Sequence, residues 1–301
     1  MTAPLALIIN AGSGTGDGRP DAAALLGLFR QHGLQASLHE LSPGGDMDAL
    51  LDRALGQSPG ALVAAGGDGT VNAVAARALE HGLALGVLPL GTLNHFARDL
   101  GIPEELDAAV RVIAAGRSRC VDVGTVNGKV FLNNASIGMY ATIVVDRERQ
   151  QRRLGRGKWI ALCRATLAAL RDPDPFEVVI GLEGRELRRH TPFLFVGNND
   201  YIVQGPEAGQ RARLDDGTLS LYVLHPRTAL GLLWLALRTL LRGMSGARDL
   251  DAFSVGALTV EARAPRLDVA RDGEVEAMAT PVRFAVRPGA LRVFAPAQQA
   301  G

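Results

Sequence analysis

Ala64-Ala65-Gly66-Gly67-Asp68-Gly69-Thr70-Val71-Asn72-Ala73-Val74 sets three glycines and an aspartate between an apolar run and a helical pattern. Glycine has no side chain, so Gly66, Gly67 and Gly69 can take positive φ and bring backbone amides close to a ligand. The helix that follows points its unpaired N–H groups and the positive end of its dipole at the same spot, which favours a phosphate. Asp68 is repulsive beside a phosphate unless a cation such as Mg2+ lies between them, so the turn suggests a nucleotide with a metal. A tight structural turn is the other reading of this spacing.

Outward from this turn the chain alternates. Leu5–Ile9 reads as a strand ending in Asn10-Ala11-Gly12-Ser13-Gly14, followed by helical periodicity over Asp21–His32. A strand at Ala36–Leu41, a helix at Asp46–Leu55 and the strand Ala61–Ala65 lead into the glycine turn. A helix over Val71–His81 and a strand at Leu83–Leu88 follow, the strand ending in Pro89-Leu90-Gly91-Thr92-Leu93-Asn94. This predicts an α/β domain over residues 1–122. Ligands of parallel sheets gather at the carboxyl ends of the strands, which puts Asn10, Asp68 and Thr92 on one rim. The first glycine turn is not a dinucleotide fingerprint, because Asp17 stands where a third glycine would fall, and no P-loop lysine is near it.

The 301 residues are 47% hydrophobic, enough for a full core and, by length, for two domains. With 32 basic and 31 acidic residues nothing calls for a nucleic-acid partner, and Lys129 and Lys158 are the only lysines. Cys120 and Cys163 belong to no paired spacing, which argues against a disulfide framework and a zinc site and fits a reducing cytosol. The apolar N-terminus lacks a basic leader and a cleavage signature. Ala229–Leu241 is too short to span a bilayer and carries Arg238, so no membrane crossing is expected.

Beyond Gly124 strand patterns with turn punctuation dominate: Val130–Ile137, Phe176–Leu182, Pro192–Gly197, Thr218–Leu224, Leu258–Ala262, Val282–Val286 and Leu291–Phe294. An antiparallel, β-rich domain over 123–287 is the economical reading, with helical inserts near Lys158–Leu170 and Ala229–Leu241. Asp272-Gly273-Glu274 and Asp215-Asp216-Gly217, each taken alone, are ordinary turns.

Taken together these stretches resemble the diacylglycerol-kinase-type lipid kinases, especially the soluble bacterial members. Gly66-Gly67-Asp68-Gly69-Thr70 matches the family's nucleotide turn. Pro89-Leu90-Gly91-Thr92-Leu93-Asn94 with Phe96-Ala97-Arg98 matches its second motif. Asn133–Gly138, Gly197-Asn198, Leu214-Asp215-Asp216-Gly217, Asp272-Gly273-Glu274 and Pro288-Gly289-Ala290 follow in the family's order, so the resemblance covers nearly the whole chain.

The resemblance implies an ATP-dependent kinase with an α/β nucleotide domain, a β-sandwich-like lipid-substrate domain and an active site in the cleft between them. A final strand at about 288–301 is expected to return to the first domain. Gly66, Gly67, Asp68, Gly69, Thr70, Asn72, Thr92 and Asn94 would hold ATP, with Asn10, Gly12 and Gly14 lining the same pocket. Asp272 matches the general base, with Glu274 beside it, and Asp68 would anchor the catalytic metal. Arg213 and Thr218 through backbone carbonyls, and Asp216 through its carboxylate, match a structural Mg2+ site.

Phosphoryl transfer needs in-line positioning and charge neutralisation, so an acid that orients and deprotonates a lipid hydroxyl suffices. Diacylglycerol is the first acceptor expected, with phosphatidylglycerol or a sphingoid base next, and phospholipid biosynthesis is the setting. The resemblance implies a cytoplasmic enzyme that meets its lipid at a membrane surface, and a homodimer is compatible with it. The basic run Arg147, Arg149, Arg152, Arg153, Arg156 and Lys158 beside Trp159 reads as a solvated face or as a headgroup-docking patch.

Two departures from the family pattern stand out. His95 occupies a position where the family often has an aspartate. The segment Gly209-Gln210-Arg211-Ala212-Arg213 lacks the proline–acid pair often found there. The rival readings are an NAD kinase, which shares the glycine–aspartate turn, and a nucleotide- or lipid-binding regulator that has lost turnover.

Overall fold

The computed structural model describes residues 4–10, 21–138, 175–202, 210–211, 213–225 and 250–297. The chain divides into two compact units, residues 1–123 with 288–301, and residues 124–287.

The first unit is built by strand–helix alternation: β1 (Leu5–Asn10), α1 (Ala22–Gln31), β2 (Ala36–Leu41), α2 (Met47–Leu55), β3 (Ala61–Gly66), α3 (Asp68–Glu80) and β4 (Ala84–Pro89). The short α4 (His95–Asp99), α5 (Leu106–Ala114) and β5 (Ser118–Val126) follow. The strands pair in parallel in the order β2-β1-β3-β4. All residues of β3 and β4 are buried, as expected where helices cover both faces of a parallel sheet. Helix α3 buries Val71, Val74, Ala75 and Ala78, one stripe at helical spacing. Helix α5 lies so near β4 that a Cβ on Gly86 would sit 2.9 Å from Ile113 Cδ1. Helix α2 begins at Asp46, whose side chain accepts from the amides of Asp48 and Ala49 and satisfies two of the helix's unpaired donors.

The second unit comprises β6 (Lys129–Phe131), β7 (Asn134–Gly138), β8 (Phe176–Leu182), β9 (Arg185–Thr191), β10 (Phe193–Asn198) and β11 (Leu219–Leu224). It continues with β12 (Leu250–Val255), β13 (Ala257–Ala262), β14 (Arg266–Arg271), β15 (Glu274–Ala279) and β16 (Val282–Phe294). One antiparallel sheet runs β12-β11-β10-β7-β14-β15, and the antiparallel strands β16-β13-β8-β9 form the other. Alternate residues of both sheets point into one core: Ile137, Leu194, Leu221 and Val269 from the first, Val178, Ile180, Val260 and Phe284 from the second. This is a β-sandwich-like arrangement. The chain passes between units within β5 and again within β16. Near its start β16 pairs with β13, and near its end Val293 lies in parallel register with Leu85 of β4. Among the described residues no helix is long and apolar enough to cross a membrane.

The structure corrects several expectations. Helix α3 begins at Asp68, three residues earlier than the hydrophobic pattern suggests, because its first turn carries no apolar residue to mark it. The run Val130–Ile137 is two strands, broken at Leu132-Asn133. The stretches Val282–Val286 and Leu291–Phe294 are one continuous strand. Strand β9 has no apolar alternation to betray it. Its sequence Arg-Glu-Leu-Arg-Arg-His-Thr suits the outer edge of a sheet, where charge discourages pairing with a second molecule. The two helical inserts lie outside the described residues.

Candidate active site

In the first unit β3 leads straight into α3 through Gly66 and Gly67. Neither glycine, nor Gly69, takes a positive φ; Gly67 is extended, with φ −86° and ψ −178°. Their role is close approach instead. A Cβ on Gly66 would lie 2.7 Å from Thr70 Cβ and Oγ1, and the Thr70 hydroxyl so admitted accepts from Asn10 Nδ2 at 3.2 Å. A Cβ on Gly91 would lie 2.5 Å from the Gly67 Cα, so the turns after β3 and β4 stack backbone on backbone. The Asn94 side chain closes the second turn, its Oδ1 accepting from Gly91 N and its Nδ2 donating to Gly91 O, both at 2.9 Å.

Asp68 opens α3 half-buried, and its carboxylate accepts one long bond, from Phe96 N at 3.5 Å. Asn72 and Thr70 are buried on α3, while Thr92 and His95 are exposed. Asn10, Gly66 and Pro89 end their parallel strands at the same side of the sheet, so the expected rim is formed. Gly12 and Gly14 lie outside the described residues.

In the second unit, Asp272 and Gly273 form the two-residue tip of the β14–β15 hairpin, with φ +46° and +91°. Both being left-handed matches the twist that tight hairpins require. The bend aims the Asp272 carboxylate at the break between β6 and β7. There Leu132 N donates to Oδ2 at 2.7 Å, and Asn133 N and Asn134 N donate to Oδ1 at 3.0 Å. Asp272 N in turn donates to Asn134 O at 2.9 Å. Burial pushes this carboxyl above the usual aspartate range, outweighing the downward pull of the three amides and of the nearby Arg211 charge.

Arg211, only 4% exposed, braces the same break: its Nη1 donates to Leu132 O and Asn198 O, and its Nη2 to Asn133 Oδ1. Tyr201 donates through its hydroxyl to Asn133 O at 2.9 Å.

Comparison with known proteins agrees with this division. Residues 4–126 match the diacylglycerol kinase catalytic domain, and residues 134–295 match the YegS C-terminal NAD kinase beta sandwich-like domain. A protein of Pseudomonas aeruginosa named "Probable lipid kinase YegS-like" is 35% identical over 93% of this chain and 91% of its own. The chain belongs to this lipid kinase family. The diacylglycerol kinase of Bacillus subtilis is 31% identical over 72% of each chain. A diacylglycerol kinase crystal structure from Bacillus anthracis shares the fold, with a TM-score of 0.70 at 20% identity over 98% of this chain and 97% of that one.

The resemblance to the lipid kinase family also named Glu274, Arg213, Asp216 and Thr218. Glu274 is exposed at the start of β15 and pairs with Arg271 at 3.5 Å. In the set Arg213, Asp216 and Thr218, the Asp216 carboxylate is ion-paired with the exposed Arg213 guanidinium at 3.1 Å, and the Thr218 carbonyl accepts from Asn199 N at 2.9 Å. Among the described residues no three acidic, histidine or cysteine side chains gather into a metal site.

Two residues of consequence escaped the sequence reading. Arg211 lies in the segment that lacks the proline–acid pair, so that departure was the available signal. Asp122, on β5 and 2% exposed, accepts from Gly289 N at 2.7 Å and fastens the turn within β16. A lone acid in an apolar strand was its only mark.

Proposed function

We propose that the chain transfers the γ-phosphate of ATP to a lipid hydroxyl, with diacylglycerol the first acceptor and Asp272 the general base. The observation that carries this is the Asp272 carboxylate, fixed by three backbone amides on a left-handed corner. Such a carboxylate is pre-oriented, and because burial raises its pKa it binds a proton more readily than an exposed aspartate would. It would orient the acceptor hydroxyl and take its proton as the oxygen attacks phosphorus.

In the first unit the close-packed glycine turns and the N-terminus of α3 are suited to the phosphates of ATP. Asp68, with one weak contact, is the residue that would hold the Mg2+ accompanying the nucleotide. That ion would neutralise charge on the phosphoryl group being transferred. Thr92, exposed beyond β4, and Asn10 would meet the nucleotide from neighbouring strands. Peripheral association with a cytoplasmic membrane face follows from the substrate. The basic run from Arg147 to Lys158, outside the described residues, is the segment proposed to dock there.

The test is radiolabelled ATP offered with diacylglycerol, phosphatidylglycerol and sphingosine in mixed micelles, scoring which lipid gains label. Label in diacylglycerol that disappears in Asp272→Asn supports the reading. Absence of labelled lipid from the whole panel would overturn it. Because Asp272 acts as carboxylate and its pKa is raised, activity should fall on acidification through a pH above the ordinary aspartate range.

A further inference from the structure

Resting on the assignment of Asp272 as base, we propose that Arg211 is a positioning residue for it, acting through the peptide unit that joins Leu132 to Asn133. That unit has its carbonyl on one residue and its N–H on the next. Arg211 Nη1 donates to the Leu132 carbonyl at 2.6 Å, and the N–H of the same peptide group, on Asn133, donates to Asp272 Oδ1 at 3.0 Å. A buried cation and a half-buried anion therefore face each other across one peptide dipole.

The next unit repeats the pattern. The Asn133 carbonyl accepts from Asn198 N and from the Tyr201 hydroxyl, each at 2.9 Å, while its N–H, on Asn134, donates to Asp272 Oδ1 at 3.0 Å. Arg211 Nη2 holds the Asn133 side chain at 2.9 Å, and its guanidinium lies 5.9 Å from the centre of the Tyr201 ring.

Hydrogen bonds in series polarise one another in a low-dielectric interior. A positive charge on the carbonyl side makes the amide on the other side a stronger donor, and a stronger donor favours the carboxylate over the acid. Arg211 thus opposes the burial that raises the Asp272 pKa, and keeps the break between β6 and β7 in the shape that receives the carboxylate. It does not read phosphate, since it is 4% exposed and its fork donates to the Leu132 and Asn198 carbonyls and the Asn133 side chain. A neutral side chain would tie the segments together equally well, whereas burying a full charge is costly and needs a charge-dependent return. Among the described residues, Tyr201 lies across the break, and Arg271 and Glu274 lie on the hairpin of Asp272.

The experiment follows the Asp272 carboxyl by carbon-13 NMR titration in the full chain, without any lipid. Arg211→Gln keeps an amide donor but removes the charge, and the titration midpoint should move to higher pH. Arg211→Lys should return it toward the parent, and Tyr201→Phe, which removes one donor from the second peptide unit, should move it upward by less. In turnover of dioctanoylglycerol, Arg211→Gln should lower kcat by up to about a hundredfold with KM for ATP unchanged.

A folded Arg211→Gln with an unmoved midpoint overturns the proposal. Should that variant fail to fold, Arg211→Met is read in its place, and an unmoved midpoint there overturns it instead. Full turnover by Asp272→Asn would sink the base assignment alone, leaving the titration result to stand or fall separately.

Discussion

Asp68 and Asp272 are both acids set beside glycine turns, yet the two units hold them in opposite ways. Asp68 touches one amide at 3.5 Å, whereas Asp272 is gripped by three at 2.7–3.0 Å and anchors its own N–H besides. A loosely held carboxylate can exchange water and cations with each cycle; a tightly held one keeps a fixed direction. The neighbouring glycines differ in kind as well. Gly66 and Gly91 are needed because another backbone or side chain occupies the space of a Cβ. Gly273 is needed for its left-handed φ, with nothing within 4 Å of a Cβ. The proposed donor side is built on close approach and the proposed acceptor side on conformation.

The sharpest way to break this contrast is Asp272→Asn. Loss of the proposed general base should lower kcat by roughly 10²–10⁴-fold while equilibrium binding of ATP is unchanged. If ATP binding falls equally, the two acids are not divided in labour as described. Next, Gly91→Ala forces backbone against backbone and should cost about 1–3 kcal/mol in urea unfolding, with loss of nucleotide binding. Gly273→Ala meets only torsional strain, and should cost about 1 kcal/mol or less and leave nucleotide binding intact. Asp68→Asn should raise KM for ATP by about tenfold, the worth of one charge-assisted contact, without altering the stability of either unit. Smallest of all, Lys129→Ala removes a pair with Glu276 in which both side chains are about half exposed, and should change unfolding free energy by less than about 1 kcal/mol.

The first unit was legible because its apolar runs are separated by glycine turns and helices with an apolar stripe, so β1, β2, β3 and β4 fall within a residue of the expected bounds. The sandwich-like unit was legible only where its strands alternate, as Val178, Ile180 and Leu182 do in β8. Strand β9 was hidden by its charges, and the β14–β15 hairpin was visible at its Asp-Gly tip alone. The break at Leu132-Asn133 was marked locally only by the polar pair Asn133-Asn134, which the apolar residues on either side masked. What bends the chain there is a carboxylate some 140 positions away in the sequence. For the same reason the supporting role of Arg211 was out of reach: a buried arginine carries no local pattern, and most of its partners here are backbone carbonyls.

Strand β16 begins in the second unit and ends beside β4 of the first, with Leu291, Val293 and Phe294 fully packed. During synthesis the first 123 residues therefore emerge long before the piece that completes their sheet. Until residues 288–294 leave the ribosome, β4 presents a bare hydrogen-bonding edge, the kind of surface on which chaperones act and chains stick together. The first unit thus reaches its finished form last, only after the second unit has been made.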